Sequence, residues 1–156
     1  MKKLLLGSSM LAAVAFSATA QADTPKITVG GVISGGTGSF VISPQTNSTT
    51  MGIGTGQAGT ISFTDTEVGY LTSNWSNVFF GSNAMTGDMN VGTTTWADPI
   101  TFRTNTGVIN INGNQTMGVN ALTITTNADL VLNANLAGTG ALVISGVAGT
   151  ATSMGI

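Results

Sequence analysis

The sequence predicts an all-β solenoid, and three observations support this prediction. Short apolar and β-branched runs recur along the chain between Gly, Asn, Asp and Ser residues, which is the pattern of strands bounded by turns. These runs return at intervals of roughly 20 residues, the period of a stacked repeat. "ITFRTNTGVININGN" is followed one period later by "LTITTNADLVLNANL", with the same order of runs and turns. We therefore expect about five or six coils that bury their apolar faces against one another. The alternative is an antiparallel β-sandwich or barrel, whose turns recur every ~8–12 residues.

Residues 1–22 have the features of an export signal. Lys2 and Lys3 are followed by the apolar run Leu4–Phe16 and then by small residues at two possible cleavage sites, after Ala20 and after Ala22. We favour cleavage after Ala22. The apolar run is shorter than the ~20 residues of a membrane-spanning helix, so we expect a removed signal and not an anchor.

Two further regions follow the signal. Residues 23–58 are rich in Gly, Ser and Thr and are predicted to form N-terminal strands and a cap. Residues 59–156 are predicted to form the repeat region, which ends in mid-repeat at "ATSMGI" and which we expect to be truncated at its C-terminus. The predicted strands are Lys26–Ile33, Ser39–Ser43, Thr60–Phe63, Asn77–Gly81, Asp88–Gly92, Ile100–Thr104, Val108–Asn112, Leu122–Thr126, Leu130–Leu136 and Ala141–Ser145.

Two interleaved series of strands account for the period, so each coil is expected to contain two clear strands. The first series begins near Val41, Ile61, Val78, Ile100, Leu122 and Val143, and the second near Met89, Val108 and Leu130. The segment Asp65–Trp75 is the one candidate helix, of one or two turns, with Asp65 as its possible N-cap.

Asparagines recur at matching turn positions of this pattern. Asn105 and Asn127 occupy equivalent turns one period apart, and Asn112 and Asn133 lie near one another in the next turn. Stacked Asn side chains can form hydrogen-bonded ladders, which is the structural hypothesis for these residues. The alternative is that they reflect only the general preference of Asn for turns.

Composition excludes several classes of function. After removal of the signal, two basic residues remain against six acidic ones, a net charge of −4, and this balance argues against nucleic acid as a partner. The chain has no cysteine and no histidine, so it has no disulfide framework and lacks the usual neutral-pH proton carrier. We expect no cofactor and no transmembrane helix.

Chemically active groups are sparse, and we predict that the protein is not an enzyme. Asp65 and Glu67 are the one close pair of carboxylates, and a capped turn with solvated charges explains them better than a calcium site. Asp88, Asp98 and Asp129 are isolated and precede strands, where Asp commonly closes a turn.

A weak ligand or partner surface is the remaining candidate site. It comprises Trp75, Phe80, Trp96 and Arg103. Phe79 and Phe80 are adjacent, so one of them points inward in a strand and the other outward. The alternative is that the aromatic residues pack in the core and that Arg103 is an ordinary solvent-facing strand residue.

The chain from about Ile61 onward resembles the repeats of bacterial β-helical surface proteins, the filamentous-haemagglutinin-like and autotransporter-passenger adhesins. The resemblance rests on "FTDTEVGYLTSNWSNVFFGSNAMTGDMNVG", "ADPITFRTNTGVINING" and "ALTITTNADLVLNANLAGTGALVISG". It implies a right-handed parallel β-helix that is exported and either secreted or displayed on the outer membrane or cell surface of a Gram-negative bacterium. The implied role is adhesion or aggregation, with a host or neighbouring-cell protein or glycan as the partner.

Other functions remain open at this level. The chain could be a subunit of a self-assembling fibre or matrix, since uncapped terminal coils favour end-to-end stacking. It could also be a carbohydrate-active β-helix enzyme, which requires two carboxylates that face one bond. The N-terminal segment "MKKLLLGSSMLAAVAF…ADTPKITVGGVI" faintly resembles the start of a porin, although aromatic residues are sparse and the lumen charges of a porin are missing.

Overall fold

The computed structural model describes residues 33, 37–71 and 74–146. The strands in these ranges are β1 (Ser39–Ile42), β2 (Met51–Ile53), β3 (Ile61–Phe63), β4 (Asn77–Gly81), β5 (Met89–Val91), β6 (Thr94–Thr95), β7 (Ile100–Arg103), β8 (Ile109–Ile111), β9 (Gln115–Gly118), β10 (Leu122–Thr125), β11 (Leu130–Leu132), β12 (Leu136–Gly138) and β13 (Leu142–Ser145); one short helix, α1 (Asp65–Gly69), lies between β3 and β4. The predicted export signal lies outside the described residues, as does the predicted strand Lys26–Ile33 except for Ile33, which forms an isolated parallel bridge with Leu71.

The strands form three sheets, and every strand pairing in the described part of the chain is parallel. Sheet 1 has the order β1-β4-β7-β10-β13, sheet 2 the order β3-β2-β5-β8-β11, and sheet 3 the order β6-β9-β12. From β4 onward the chain visits sheets 1, 2 and 3 in the same order on each pass. The prediction of an all-β protein is confirmed, and the antiparallel alternative is wrong for these strands.

The register places equivalent residues in straight rows. In sheet 1, Val78 aligns with Ile100, Ile100 with Leu122, and Leu122 with Leu142. Because successive side chains of a strand point to opposite faces, these residues share one face while their neighbours line the other. The repeating pattern in the sequence is therefore the pattern of these rows.

Each pass from β4 to β12 contains three strands, one in each sheet, and the prediction of two was wrong. The missed strands are short and lack an unbroken β-branched run: β2 is Met-Gly-Ile, β6 is Thr-Thr, and β9 is Gln-Thr-Met-Gly. The predicted run Leu130–Leu136 is divided between β11 and the first residue of β12. Strands this short are stabilised by pairing with the equivalent strands of the next pass. The strand propensity of their own residues does not predict this pairing.

The placement of Ile61 in the first series was also wrong. Its strand, β3, pairs with β2 in sheet 2, where Met51 aligns with Ile61. The connecting segment 54–60 crosses the outward face of β2, and there glycine is required. A Cβ on Gly59 would lie 2.2 Å from the backbone nitrogen of Gly52, and a Cβ on Gly52 would lie 2.5 Å from the carbonyl oxygen of Gln57.

The core lies on the inward faces of the sheets and contains a cluster of four aromatic rings. Phe80 is central: its ring centroid lies 5.9 Å from that of Phe63, 5.8 Å from that of Trp96 and 6.1 Å from that of Phe102. Such edge-to-face and tilted contacts add to the free energy gained by burying the rings. Rows of Met, Ile, Val and Leu extend the core on both sides of this cluster.

Helix α1 begins with a capping box centred on Thr64, not on Asp65 as predicted. The Thr64 hydroxyl accepts a hydrogen bond from the Glu67 backbone N–H, and the Glu67 carboxylate accepts one from the Thr64 backbone N–H at 2.9 Å. The prediction of one or two helical turns is confirmed. No helix in the described ranges has the length and apolar character needed to span a bilayer.

Candidate functional site

The aromatic members of the predicted surface are divided between the core and its N-terminal end. Phe80 is fully buried and Trp96 is 5% exposed, so neither side chain is available at the surface. Trp75 is half-buried and packs on Phe40, with 5.1 Å between the ring centroids. Core packing accounts for these three residues, and they form no common surface with Arg103.

Phe79, not Phe80, is the phenylalanine on the outward face of β4. The guanidinium carbon of Arg103 lies 4.4 Å from the centroid of the Phe79 ring, a cation–π contact across neighbouring strands of sheet 1. The Arg103 Nε donates a hydrogen bond to the Gly81 carbonyl oxygen at 3.2 Å. Two contacts therefore hold the guanidinium group over the Phe79 ring on the outward face of the sheet, and we call Arg103, Phe79 and Gly81 the Arg103 platform.

Partial burial of the platform affects the guanidinium group itself. Desolvation lowers the pKa of Arg103 from its ordinary value, which still leaves an arginine cationic at neutral pH. No ion pair joins Arg103 to an acidic residue in the described part of the chain. The terminal nitrogens Nη1 and Nη2 are also not among the buried polar atoms that lack a partner, so solvent reaches them.

Hydroxyl groups lie beside the platform on the same face of sheet 1. Arg103 aligns with Thr125, which aligns with Ser145, and Phe79 aligns with Thr101, which aligns with Thr123. The Thr125 and Ser145 hydroxyls are 3.1 Å apart. Each row thus continues from the platform into uncharged hydrogen-bonding groups, spaced by about 4.8 Å from strand to strand.

The predicted asparagine ladders are confirmed. Asn127 Nδ2 donates to Asn105 Oδ1 at 2.9 Å, and Asn133 Nδ2 donates to Asn112 Oδ1 at 3.3 Å. A further pair, which the sequence did not single out, links Asn110 Nδ2 to Asn90 Oδ1 at 3.2 Å. The first two bonds join turns of successive passes, and the third joins the neighbouring strands β5 and β8.

One ladder is continued by a residue from outside the repeat. Gly92 lies one pass before Asn112 and has no side chain, and the Gln57 side chain fills the space above it, with its Cγ 2.9 Å from where a Gly92 Cβ would be. Asn112 Nδ2 donates to Gln57 Oε1 at 3.2 Å. The crossing segment 54–60 therefore supplies the amide that the repeat lacks at this position.

The carboxylates bind backbone N–H groups at turns. Asp65 Oδ1 accepts from the Thr55 N–H at 3.1 Å, Asp88 Oδ1 from the Val108 N–H at 2.9 Å, and Asp98 Oδ1 from the Asn74 N–H at 3.0 Å. Asp88 and Asp98 precede strands as predicted, but these bonds reach N–H groups 20 and 24 residues away, so they join separate segments and do not close a local turn. Within the described residues, no three Asp, Glu, His or Cys side chains form a group that could hold a metal ion.

A small cavity lies beside Asp98, which is buried. Its volume is about 40 Å³, and its lining includes Val68, Leu71, Trp96 and Asp98. The second carboxylate oxygen of Asp98 is buried and has no hydrogen-bond partner. A cavity of this size has room for about one or two water molecules, so it is too small for an organic substrate.

Gln115 is one of several buried polar residues that the sequence pattern did not indicate. It is fully buried, and its Nε2 donates to the Gly92 and Gly113 carbonyl oxygens at 2.6 Å each, while its Oε1 accepts from Trp96 Nε1 at 2.8 Å. Every hydrogen-bonding atom of the amide is thus engaged, which indicates a structural role.

Comparison with protein-family models, curated proteins and solved structures found no match to this chain.

Proposed function

We propose that the three sheets are the three sides of one right-handed parallel β-helix, and that the protein is an exported bacterial surface protein that acts as an adhesin-like scaffold. The observation that carries this proposal is the repeated order of sheets 1, 2 and 3 along the chain, with inward rows of apolar side chains and outward rows of polar ones. In such a scaffold the outward faces form long flat surfaces on which a partner gains affinity from extended contact. The N-terminal export pattern supports a location of these surfaces outside the inner membrane.

Distances between the outward faces test the closed cross-section. The chain has no cysteine, so spin labels can be attached to cysteines introduced at Thr123, Val131 and Ala137, which lie on β10, β11 and β12 of one pass. If the sheets are three sides of one helix, the three pairwise distances are comparable. If the sheets lie open side by side, the largest distance equals the sum of the other two, and the β-helix is rejected.

Adhesion is tested by display on a non-adherent bacterium. Cells that export the chain are expected to bind host-cell monolayers or neighbouring bacteria more than cells that carry the empty vector. The matched control is the variant Phe102→Asp, which places a charge in the core and removes the folded surface while keeping the export signal. Equal adherence of cells that display the folded chain and cells with the empty vector contradicts the proposed function.

A second candidate function is self-assembly, and the last strand of sheet 1 favours it. In the described part of the chain β13 pairs on one edge, with β10, and its residues Leu142, Val143 and Ile144 are 46%, 46% and 39% exposed. Natural edge strands are commonly protected by charged residues or proline, and the sequence has no charged residue after Asp129. A second copy of the chain, paired along β13, is the partner that this edge fits.

Sedimentation velocity over a range of protein concentrations tests self-assembly. We expect oligomers of the wild-type chain that grow with concentration, and a monomer for the variant Ile144→Lys, because lysine on an edge opposes strand pairing. The control is Thr123→Lys on the neighbouring strand β10, which adds the same charge away from the edge. A wild-type chain that stays monomeric at all concentrations rejects this candidate.

A further inference from the structure

The Arg103 platform has the features of a prepared anion site. The cation–π contact with Phe79 at 4.4 Å and the hydrogen bond to the Gly81 carbonyl at 3.2 Å restrict the position of the guanidinium group. Because Nε is used in that hydrogen bond, the two terminal nitrogens form the free end of the fork. A guanidinium group held in this way loses little conformational entropy when it binds a planar anion.

The acidic residues in the described ranges do not form an ion pair with Arg103. Arg103 is the one basic residue within residues 33, 37–71 and 74–146, which also contain the acidic residues Asp65, Glu67, Asp88, Asp98 and Asp129. Three of these carboxylates accept hydrogen bonds from backbone N–H groups at turns, and none forms an ion pair with Arg103. Arg103 is thus a positive charge on an otherwise uncharged face of sheet 1, and its solvent-facing terminal nitrogens have no carboxylate partner among the described residues.

We propose that the Arg103 platform binds a carboxylate group of an acidic glycan, with the sugar hydroxyls lying over the Thr123 and Thr125 rows. This inference rests on the proposed adhesin-like function and names its ligand class. The two terminal N–H groups of Arg103 match the two oxygens of a carboxylate in the end-on bidentate arrangement. The hydroxyls of Thr123 and Thr125 lie on the next strand, close enough for the same sugar residue to reach them.

The charge of the protein selects among anionic ligands. The described residues carry five acidic groups and one basic group, so a densely sulfated polymer is repelled by the protein as a whole. A uronic acid polymer with one carboxylate per sugar places a single charge on Arg103 at a lower cost. The flat face of sheet 1 also suits an extended glycan better than the side chains of a peptide, which require pockets.

Binding to oligogalacturonate and to its methyl-esterified form tests the proposal. The esterified oligosaccharide has the same backbone without the charge, so we expect chemical-shift changes at Phe79, Thr123 and Thr125 in NMR spectra with the acidic form and none with the ester. Arg103→Gln is expected to weaken binding about tenfold or more, and Arg103→Lys nearly as much, because lysine has no planar fork. Thr116→Ala, on the outward face of sheet 3, is the control that retains binding.

Several outcomes overturn the proposal. Equal binding of the acid and the ester removes the role of the charge, and equal binding by wild type and Arg103→Gln removes the site. Tighter binding of dextran sulfate rejects the carboxylate, and equally tight binding of a peptide with a free C-terminal carboxylate rejects the glycan. In the adherence assay, equal adherence of wild-type and Arg103→Gln cells rejects this inference alone, whereas no adherence by either variant rejects the proposed function.

Discussion

The two ends of the stacked strands are completed in different ways. At the N-terminal end, β3 extends sheet 2 beyond β2, and helix α1 lies beside the first strand of sheet 3, where Val68 and Leu71 line the same small cavity as Trp96. Trp75 covers Phe40, which is 5% exposed although it belongs to the first strand of sheet 1. The N-terminal end thus has a cap built from segments that do not follow the repeat.

The C-terminal end lacks such a cover in the described residues. Leu142 occupies the same row as Phe40, Val78, Ile100 and Leu122, yet it is 46% exposed. An inward row is therefore not sufficient for burial: a side chain is buried when a further layer packs against it. In a stacked repeat each unit contacts its neighbours alone, so the last unit is always incomplete unless another segment or chain covers it.

The largest expected loss of stability is at a buried isoleucine, which can be compared with an exposed isoleucine in the same row. Ile124 is fully buried, and Ile144, its partner in the next strand, is 39% exposed. We expect Ile124→Ala to lower the free energy of unfolding by about 2–5 kcal/mol and Ile144→Ala by less than about 1 kcal/mol. Urea unfolding followed by circular dichroism measures both. Similar losses would show that the C-terminal end is covered in solution, by a second copy or by another part of the chain.

Much of this architecture could be predicted from the sequence because the rows of sheets 1 and 2 consist of apolar and β-branched residues. Sheet 3 could not be predicted in the same way. Its inward row begins with Thr94 and Gln115, and the burial of Gln115 depends in part on Trp96 and Gly92, which meet it only in the folded chain. The N-terminal cap has no period, so a repeat analysis assigned Ile61 to the wrong sheet.

The candidate site was also predicted only in part from the sequence. Arg103 could be identified because it is the one basic residue in the repeats. The choice between Phe79 and Phe80 required the register, since adjacent residues point to opposite faces. The pairing of Gly81 with Arg103 fixes that register, and it places Phe79 beside Arg103 and Phe80 in the core.

The crossing segment of the N-terminal cap provides the next test. Gly59→Ala places a Cβ 2.2 Å from the Gly52 backbone nitrogen, so the segment must shift, at an expected cost of about 1–3 kcal/mol. Gly69→Ala at the end of α1 is the control, because its Cβ meets no atom within 4 Å and alanine favours a helix. Thermal unfolding of the two variants is the measurement, and a Gly59→Ala variant as stable as wild type contradicts the close crossing.

A substitution in the capping box of α1 is expected to lower the stability of the N-terminal cap by a smaller amount. Thr64→Ala removes the hydroxyl that accepts the Glu67 N–H, and we expect a loss of about 1 kcal/mol. Thr66→Ala, within the helix and exposed, removes a similar hydroxyl without that contact and should leave the stability nearly unchanged. Urea unfolding of both variants provides the comparison. If Thr66→Ala lowers the free energy of unfolding as much as Thr64→Ala, the cap assignment is wrong.

The smallest expected contribution to stability is that of the asparagine ladder that joins successive turns. Asn127 Nδ2 donates to Asn105 Oδ1 at 2.9 Å at a partly exposed site, and such a bond contributes about 0.5–1 kcal/mol after exchange with water. A double-mutant cycle with Asn105→Ala and Asn127→Ala isolates this coupling from the effect of each turn. A coupling energy of zero means that the two asparagines are favoured by their turns and not by each other. In that case backbone pairing and the apolar rows carry most of the cohesion between these passes, and the C-terminal pass, whose row is exposed, becomes the weakest part of the stack.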